Sequence, residues 1–148
     1  GYDERNLYIL AKVADDVFRQ NLSGDKGLRG DHIELWFGDN YSNKYQLALL
    51  PGNFGNIKPE IMQWYNKNKP VSNKKISGAE IKSKKTDNGY IIEAKIPFSE
   101  FGEPNLFNLT KFTFSISDSD EADKQEKLLA SSSLTWGDNW SIGEIIWE

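Results

Sequence analysis

AEIKSKKTDNGYIIEAKIPF, Ala79–Phe98, is the stretch whose reading decides the fold. Apolar and polar residues alternate on both sides of Asp87-Asn88-Gly89, with Ile81 before it and Ile92, Ala94 and Ile96 after it. Alternation at period two is the signature of a half-buried strand. Asn-Gly between two such runs is the strongest short-range hairpin signal, because a tight two-residue turn wants φ > 0 at its central positions. The spacing therefore predicts strands over Ala79–Lys85 and Tyr90–Ile96 closed by Asn88-Gly89. Pro97 ends the second strand, since proline has no N–H to give a ladder.

Working outward, the same pattern recurs. Asn6–Ala14 (NLYILAKVA) sets Leu7, Ile9, Ala11 and Val13 on one face. His32–Phe37 sets Ile33, Leu35 and Phe37 against His32, Glu34 and Trp36. Tyr45–Leu50 stops at Pro51-Gly52, and Phe112–Ser117 aligns Phe112, Phe114 and Ile116. Leu128–Ser132 and Gly143–Trp147 are further strand candidates. Asp16–Gly30 reads as a loop with room for one helical turn, and Pro97–Phe101 as another such turn. Asn53–Ser77 reads as a long excursion holding Met62, Trp64 and Tyr65, with room for one short strand. Short strands, frequent turn residues and the lack of any ten-residue amphipathic helix predict an all-β chain. The expected architecture is an antiparallel β-sandwich of jelly-roll type with two packed sheets. With 148 residues and no internal repeat or linker, residues 1–148 read as a single domain. The chain opens on Gly1, so its natural N-terminus is expected upstream.

Composition removes several function classes. There is no cysteine, which excludes disulfides, thiolate metal sites and a thiol nucleophile. A net charge of -4 argues against nucleic acid and anionic membranes, which call for a basic face. Apolar runs are only a few residues long, too short to span a bilayer. No secretory leader is visible. A nucleophilic triad needs a base, and the one histidine, His32, lies inside an alternating strand where ordinary packing explains it. Neither the G-x-S-x-G elbow nor a phosphate-cradling glycine loop occurs. No carboxylate pair stands at a glycosidase spacing that the sequence reveals. The expectation is a non-enzyme.

Asp118, Asp120 and Asp123 leave a strand into a polar loop, a pattern open to calcium, which takes six to eight hard oxygen ligands. The EF-hand pattern fails there, since Ala122, Asp123 and Leu129 stand where a ligand, a glycine and a glutamate belong. A solvated acidic loop explains the same residues, and Asp15-Asp16 is a second, weaker calcium candidate. A haem held by Met62 and His32 is not expected, because His32 sits between charged Asp31 and Glu34.

Five tryptophans are many for a chain of this size. The loop Ser133–Trp140, SLTWGDNW, holds Trp136 and Trp140 around Gly, Asp and Asn. Flat aromatics suit the apolar faces of sugar rings, and carboxylates and amides suit their hydroxyl rim. A loop tryptophan can equally fold back to cap a sandwich, and Trp147 reads as core.

In order, LYILAKVADD, GDHIELWF, YQLALLPG, DNGYIIEAKIPF, FTFSISDSD and IGEIIW resemble the family 9 carbohydrate-binding modules and their wider relatives, over Tyr8–Trp147. The resemblance implies a non-catalytic module that recognises a sugar or a polysaccharide chain end. It implies a setting in a larger exported bacterial protein, at the cell envelope or outside the cell, beside or near a glycoside hydrolase. It also implies structural calcium and an opening strand before Asn6–Ala14, which is absent or too short here. Carried over by residue, Glu34 matches the acidic residue of the G-D-x-x-E strand, and Asn139 and Trp140 look like the asparagine and tryptophan of the late loop. The partner tryptophan expected just before G-D is missing: Gly27-Leu28-Arg29-Gly30 holds no aromatic. Trp64 or Trp136 is left to take its place. The expected carbohydrate set is therefore Trp140, Trp136, Asn139, Glu34 and Trp64. The competing reading is a structural accessory β-sandwich without a sugar ligand.

Overall fold

The computed structural model describes residues 1–39, 43–66, 74–76, 78–101, 109–121, 124–133 and 143–146. Its strands are β1 (Asn6–Ala14), β2 (His32–Gly38), β3 (Asn43–Leu50), β4 (Glu60–Asn66), β5 (Lys74–Lys75), β6 (Glu80–Thr86), β7 (Gly89–Pro97), β8 (Lys111–Asp118) and β9 (Lys127–Ala130). Two short 3-10 turns, Gly24–Arg29 and Phe98–Phe101, stand where helical turns were expected. The strands form a three-stranded sheet, β1-β7-β6, and a six-stranded sheet, β5-β4-β3-β2-β8-β9. All pairings between these strands are antiparallel. This is the two-sheet sandwich that the alternation predicts.

The core lies between the sheets. β2 contributes Ile33, Leu35 and Phe37, β3 contributes Tyr45, Leu47 and Leu49, and the smaller sheet answers with Leu7, Val13, Tyr90, Ile92, Ala94 and Ile96. Phe101 closes one end, meeting Phe37 and Tyr45 edge-on at ring separations of 5.6 and 5.2 Å. Phe18 closes the other, 4.7 Å from Phe54 and 5.4 Å from Tyr90. Such contacts add to the burial that drives folding.

Three expectations need correction. The hairpin turn is Asp87-Asn88, one residue earlier than read, and Gly89 is already paired with Thr86. Gly89 alone there has positive φ, at 139°. The reason is β1: Gly89 also pairs with Ala14, and a Cβ on it would sit 2.0 Å from the Val13 carbonyl oxygen. Second, Trp64 lies in a full strand and not in a loop. β4 hid itself because Ile61 enters the main core while Met62 enters a second cluster on the opposite face, so no alternation shows. Third, the segment expected as a last strand makes a single bridge, Lys111 to Glu144, flanked by Phe112 N–H donating to Gly143 O (2.8 Å) and Ile145 N–H donating to Thr110 O (3.0 Å). Trp147 lies outside the described residues.

Candidate functional site

The larger sheet has a second buried face, turned away from the core. Alternation puts His32, Glu34 and Trp36 of β2 there, beside Gln46, Ala48 and Leu50 of β3 and Thr113, Ser115 and Ser117 of β8. All nine are at most 9% exposed. One row runs Ser115–Glu34–Ala48–Met62 across four strands, and the next runs Thr113–Trp36–Gln46. Half-buried Trp64 and Leu28 pack on Ala48, Leu50 and Met62 at its β4 side. The register shift between Gln46 and Leu47 falls beside Trp64. A surface sheet would have polar, wet residues on this face; here it carries a carboxylate, an imidazole, an amide and an indole out of water.

Glu34 is the centre of that face. Its Oε2 accepts a hydrogen bond from Gln46 Nε2 at 2.7 Å, and its Oε1 lies 3.2 Å from His32 Nε2. His32 Nδ1 is 2.7 Å from the Gly30 carbonyl oxygen. That carbonyl is fixed in turn: Gln20 Nε2 donates to Gly27 O (2.9 Å) and Asp31 O (2.8 Å), and Gly30 N–H donates to Gly27 O. A carboxylate offers about four lone-pair positions, so two remain for a ligand. The Ser115 and Ser117 hydroxyls, beside Glu34 and His32, are buried and find no hydrogen-bond partner among the described residues.

Ser131, Ser132 and Gly143, described residues on either side of 134–142, contact β8. Thr113 Oγ1 shares a hydrogen bond with Ser132 Oγ and accepts one from Gly143 N–H at 3.3 Å. Phe114 N–H donates to Ser131 Oγ at 3.2 Å. Ser132 and Gly143 thus meet at Thr113, the residue paired with Trp36. Trp136, Asn139 and Trp140 themselves lie outside the described residues. Glu34 and Trp64 are brought onto one face, and Gln46 joins them. Sequence reasoning missed Gln46; its phase in β3, opposite the core residues Tyr45 and Leu47, was the signal available.

The acidic residues sort differently from their spacing. Lys127 Nζ sits 3.1 Å from Asp118 Oδ2 and 3.6 Å from Asp120 Oδ2, holding the position a cation would take between them. Asp123 lies outside the described residues. Asp118 also belongs to a second group with Asp15 and Asp31. Asp31 is fully buried and takes backbone N–H donors from Arg19 and, at 2.8 Å, Ser119. Burial, followed by the Asp15 charge, pushes the Asp31 carboxyl up to about 7 against the pull of those donors. Burial raises Asp15 as well. The Tyr90 hydroxyl is buried without a partner among the described residues, and burial and the Asp31, Asp15 and Asp118 charges push it up. Nearby, the Ser119 hydroxyl meets carbonyl oxygens of Arg29 (3.0 Å), Glu121 (3.2 Å) and Lys124, yet can donate to one at a time. Oxygen ligands abound, although among the described residues no three acidic or imidazole side chains already stand at metal-ligating distances. Both nitrogens of His32 are engaged, which leaves none for haem iron.

Comparison with known proteins agrees with the fold. A family 9 carbohydrate-binding module from Caldicellulosiruptor kristjanssonii, solved with glucose, superposes with a TM-score of 0.66 at 19% identity, covering 97% of this chain and 71% of that one. The same module with cellotriose gives 0.64 at 19% identity, covering 97% and 69%. A protein from Bacteroides uniformis ATCC 8492 gives 0.59 at 14% identity, covering 95% and 72%. Among curated proteins, none matches. The model of the family described as carbohydrate family 9 binding domain-like matches residues 1–146. Sandwich, register and family match converge: the chain belongs to the carbohydrate family 9 binding domain-like family, a family of non-catalytic carbohydrate-binding modules.

Proposed function

We propose that the outer face of the six-stranded sheet is the carbohydrate site. Glu34 and Gln46 hydrogen-bond sugar hydroxyls, Trp64 offers the aromatic face missing before Gly30-Asp31, and Trp136, Asn139 and Trp140 are the further sugar contacts that the family resemblance supplies. The observation that carries this reading is Glu34: a carboxylate held out of water by two side chains, with acceptor positions to spare, on a face that also bears an indole. Acceptors fixed in advance hold sugar hydroxyls without being reordered on binding. Glucose and short β-glucans, the ligands of the related module, are the first candidates. The test is calorimetric titration with glucose, cellotriose and xylo-oligosaccharides of wild type, Glu34→Gln and Trp140→Ala. Losses of roughly 2 kcal/mol at unchanged melting temperature would support the site; binding equal to wild type in both variants would refute it.

A second cation-dependent element belongs to this proposal. Asp15, Asp31 and Asp118, with carbonyls around Ser119, are the residues that would hold a structural calcium, in place of the Asp118, Asp120 and Asp123 set. Hard carboxylate and carbonyl oxygens are its preferred donors. The ion would pin the exit of β1, the entry of β2 and the exit of β8, the frame from which Glu34 projects. Function outside the cytoplasm, in a larger bacterial protein that meets polysaccharide, is the setting this chemistry supports.

One observation favours the accessory-domain reading: Glu34 is only 6% exposed. On that reading Trp140→Ala lowers the melting temperature and no glycan binds.

A further inference from the structure

We propose that His32 is the positioning residue of the sugar site: it fixes the Glu34 carboxylate through one proton held between Nε2 and Oε1. This rests on the reading of Glu34 as a sugar contact and adds to it the group that governs that contact.

The argument is one of donors and acceptors. A carbonyl oxygen only accepts, so the 2.7 Å contact between His32 Nδ1 and Gly30 O places a hydrogen on Nδ1. Nε2 then faces Glu34 Oε1 at 3.2 Å. If Nε2 and the carboxylate both lacked a proton, two lone pairs would oppose each other in a site where His32 is fully buried and Glu34 nearly so. One proton between them turns that contact into a charge-assisted hydrogen bond and balances the buried charge. Gln46 holds the other oxygen at 2.7 Å. The carboxyl plane is thus clamped from β2 and β3 together, and the acceptor positions left over have a fixed direction. The ring cannot turn away, because Gln20 fastens the Gly27–Asp31 backbone that carries Gly30 O. Gly30 itself must be glycine: a Cβ there would lie 2.6 Å from Arg19 O and 2.9 Å from Gln20 Oε1. The chain spends a buried glutamine, a required glycine and its one histidine on orienting a single carboxylate. A core of that size has cheaper ways to fill space, since burying polar groups gains stability only when every partner is matched.

The experiment uses that one histidine. Imidazole nitrogen signals of the wild-type chain are followed by NMR while glucose and then cellotriose are added, with calorimetry on the same samples. The expected result is a protonated Nδ1 in the free protein and a shift of the Nε2 signal that saturates with the calorimetric isotherm. Two variants complete the test. His32→Gln keeps an N–H donor toward Glu34 and is expected to bind within about threefold of wild type; His32→Leu lacks it and is expected to lose tenfold or more, compared at equal folded fraction. If the sugars bind while the His32 signals stay still, or if the Gln and Leu variants lose equally, the positioning role is refuted and the sugar site stands. If wild type binds neither sugar, the sugar reading falls and this inference with it.

Discussion

Raising the pH is expected to weaken this protein in the absence of a divalent cation, and calcium is expected to cancel that weakening. Asp31 carries the effect. Its carboxyl is pushed up to about 7 in the folded chain, chiefly by burial, from an ordinary value of 3.8. Between those values the folded state holds a proton that the unfolded chain has released, so by linkage stability falls as pH rises. The contribution is complete below the unfolded value and gone above the folded one. At 1.36 kcal/mol per pH unit, the window from 3.8 to about 7 is worth on the order of 4 kcal/mol at most. Asp15 shares the same environment, so the pair is counted once. For a chain of this size each kcal/mol moves the melting temperature by roughly 2–4 °C. At pH 5 about two pH units of that window remain, roughly 2.7 kcal/mol, so the free protein is expected to melt roughly 5–11 °C lower at pH 8 than at pH 5. Asp3 and Glu126 are held below the ordinary carboxylate range by hydrogen bonds from Tyr8 and from the Glu121 backbone, so they act at lower pH and leave this window clear. A cation between Asp15, Asp31 and Asp118 replaces the proton with a better partner for the charged forms, and at a hundred times its Kd would add about 2.7 kcal/mol. Differential scanning calorimetry at pH 5 and pH 8, in EDTA and in calcium, reads both effects. A melting temperature in EDTA that is equal or higher at pH 8 would refute the burial argument. A pH dependence untouched by calcium would refute the cation site.

Three further outcomes are expected. Gly89→Ala should destabilise by about 3 kcal/mol or more in chemical denaturation, because the new Cβ meets Val13 O at 2.0 Å with φ at 139°; a loss under about 1 kcal/mol would mean that β1 gives way freely. Leu10, 72% exposed on β1, lies where no other described strand pairs beyond the Gly1–Tyr8 contacts, so Leu10→Lys should keep stability within about 0.5 kcal/mol and reduce self-association in light scattering at high concentration. Ser115→Ala and Ser117→Ala should leave the melting temperature unchanged or higher, since each removes a buried hydroxyl without a partner; a loss above about 1 kcal/mol would show that ordered water satisfies them.

Where polar and apolar side chains alternate along a strand, the sequence was readable residue by residue. β1 matches its expected bounds, and the phase of β2 put Ile33, Leu35 and Phe37 in the core as its alternation demanded. Where both faces carry apolar side chains the signal vanishes. β4 buries Ile61 on one face and Met62 on the other, and its apolar run read as loop. The hairpin shows a different limit: Asn88-Gly89 announces a turn, but the residue that fixes its place is Val13 on another strand, through a contact that no local rule contains. Turn chemistry located the hairpin and tertiary crowding chose its register.

The site divides along the same line. Glu34 was legible because a motif marks it, whereas Gln46 and Asp31 owe their roles to partners far away in sequence or across the sheet, and His32 owes its role to contacts with Gly30 and Glu34 that residue type alone does not announce. Asp31 joins Asp15 and Asp118 only because β1, β2 and β8 start or end at the same end of the sandwich. Spacing along the chain pointed to Asp118, Asp120 and Asp123, since carboxylates close in sequence look like one ligand set. In the fold Lys127 answers two of them at 3.1 and 3.6 Å, and an ammonium already between carboxylates leaves less for a metal ion to gain. Among the described residues Asp31 has no such counter-charge, only backbone donors and an acidic neighbour. A cation gains most where a buried carboxylate meets another acid and no base: Asp31 beside half-buried Asp15 meets that condition among the described residues, whereas Asp118 brings its Lys127 partner with it.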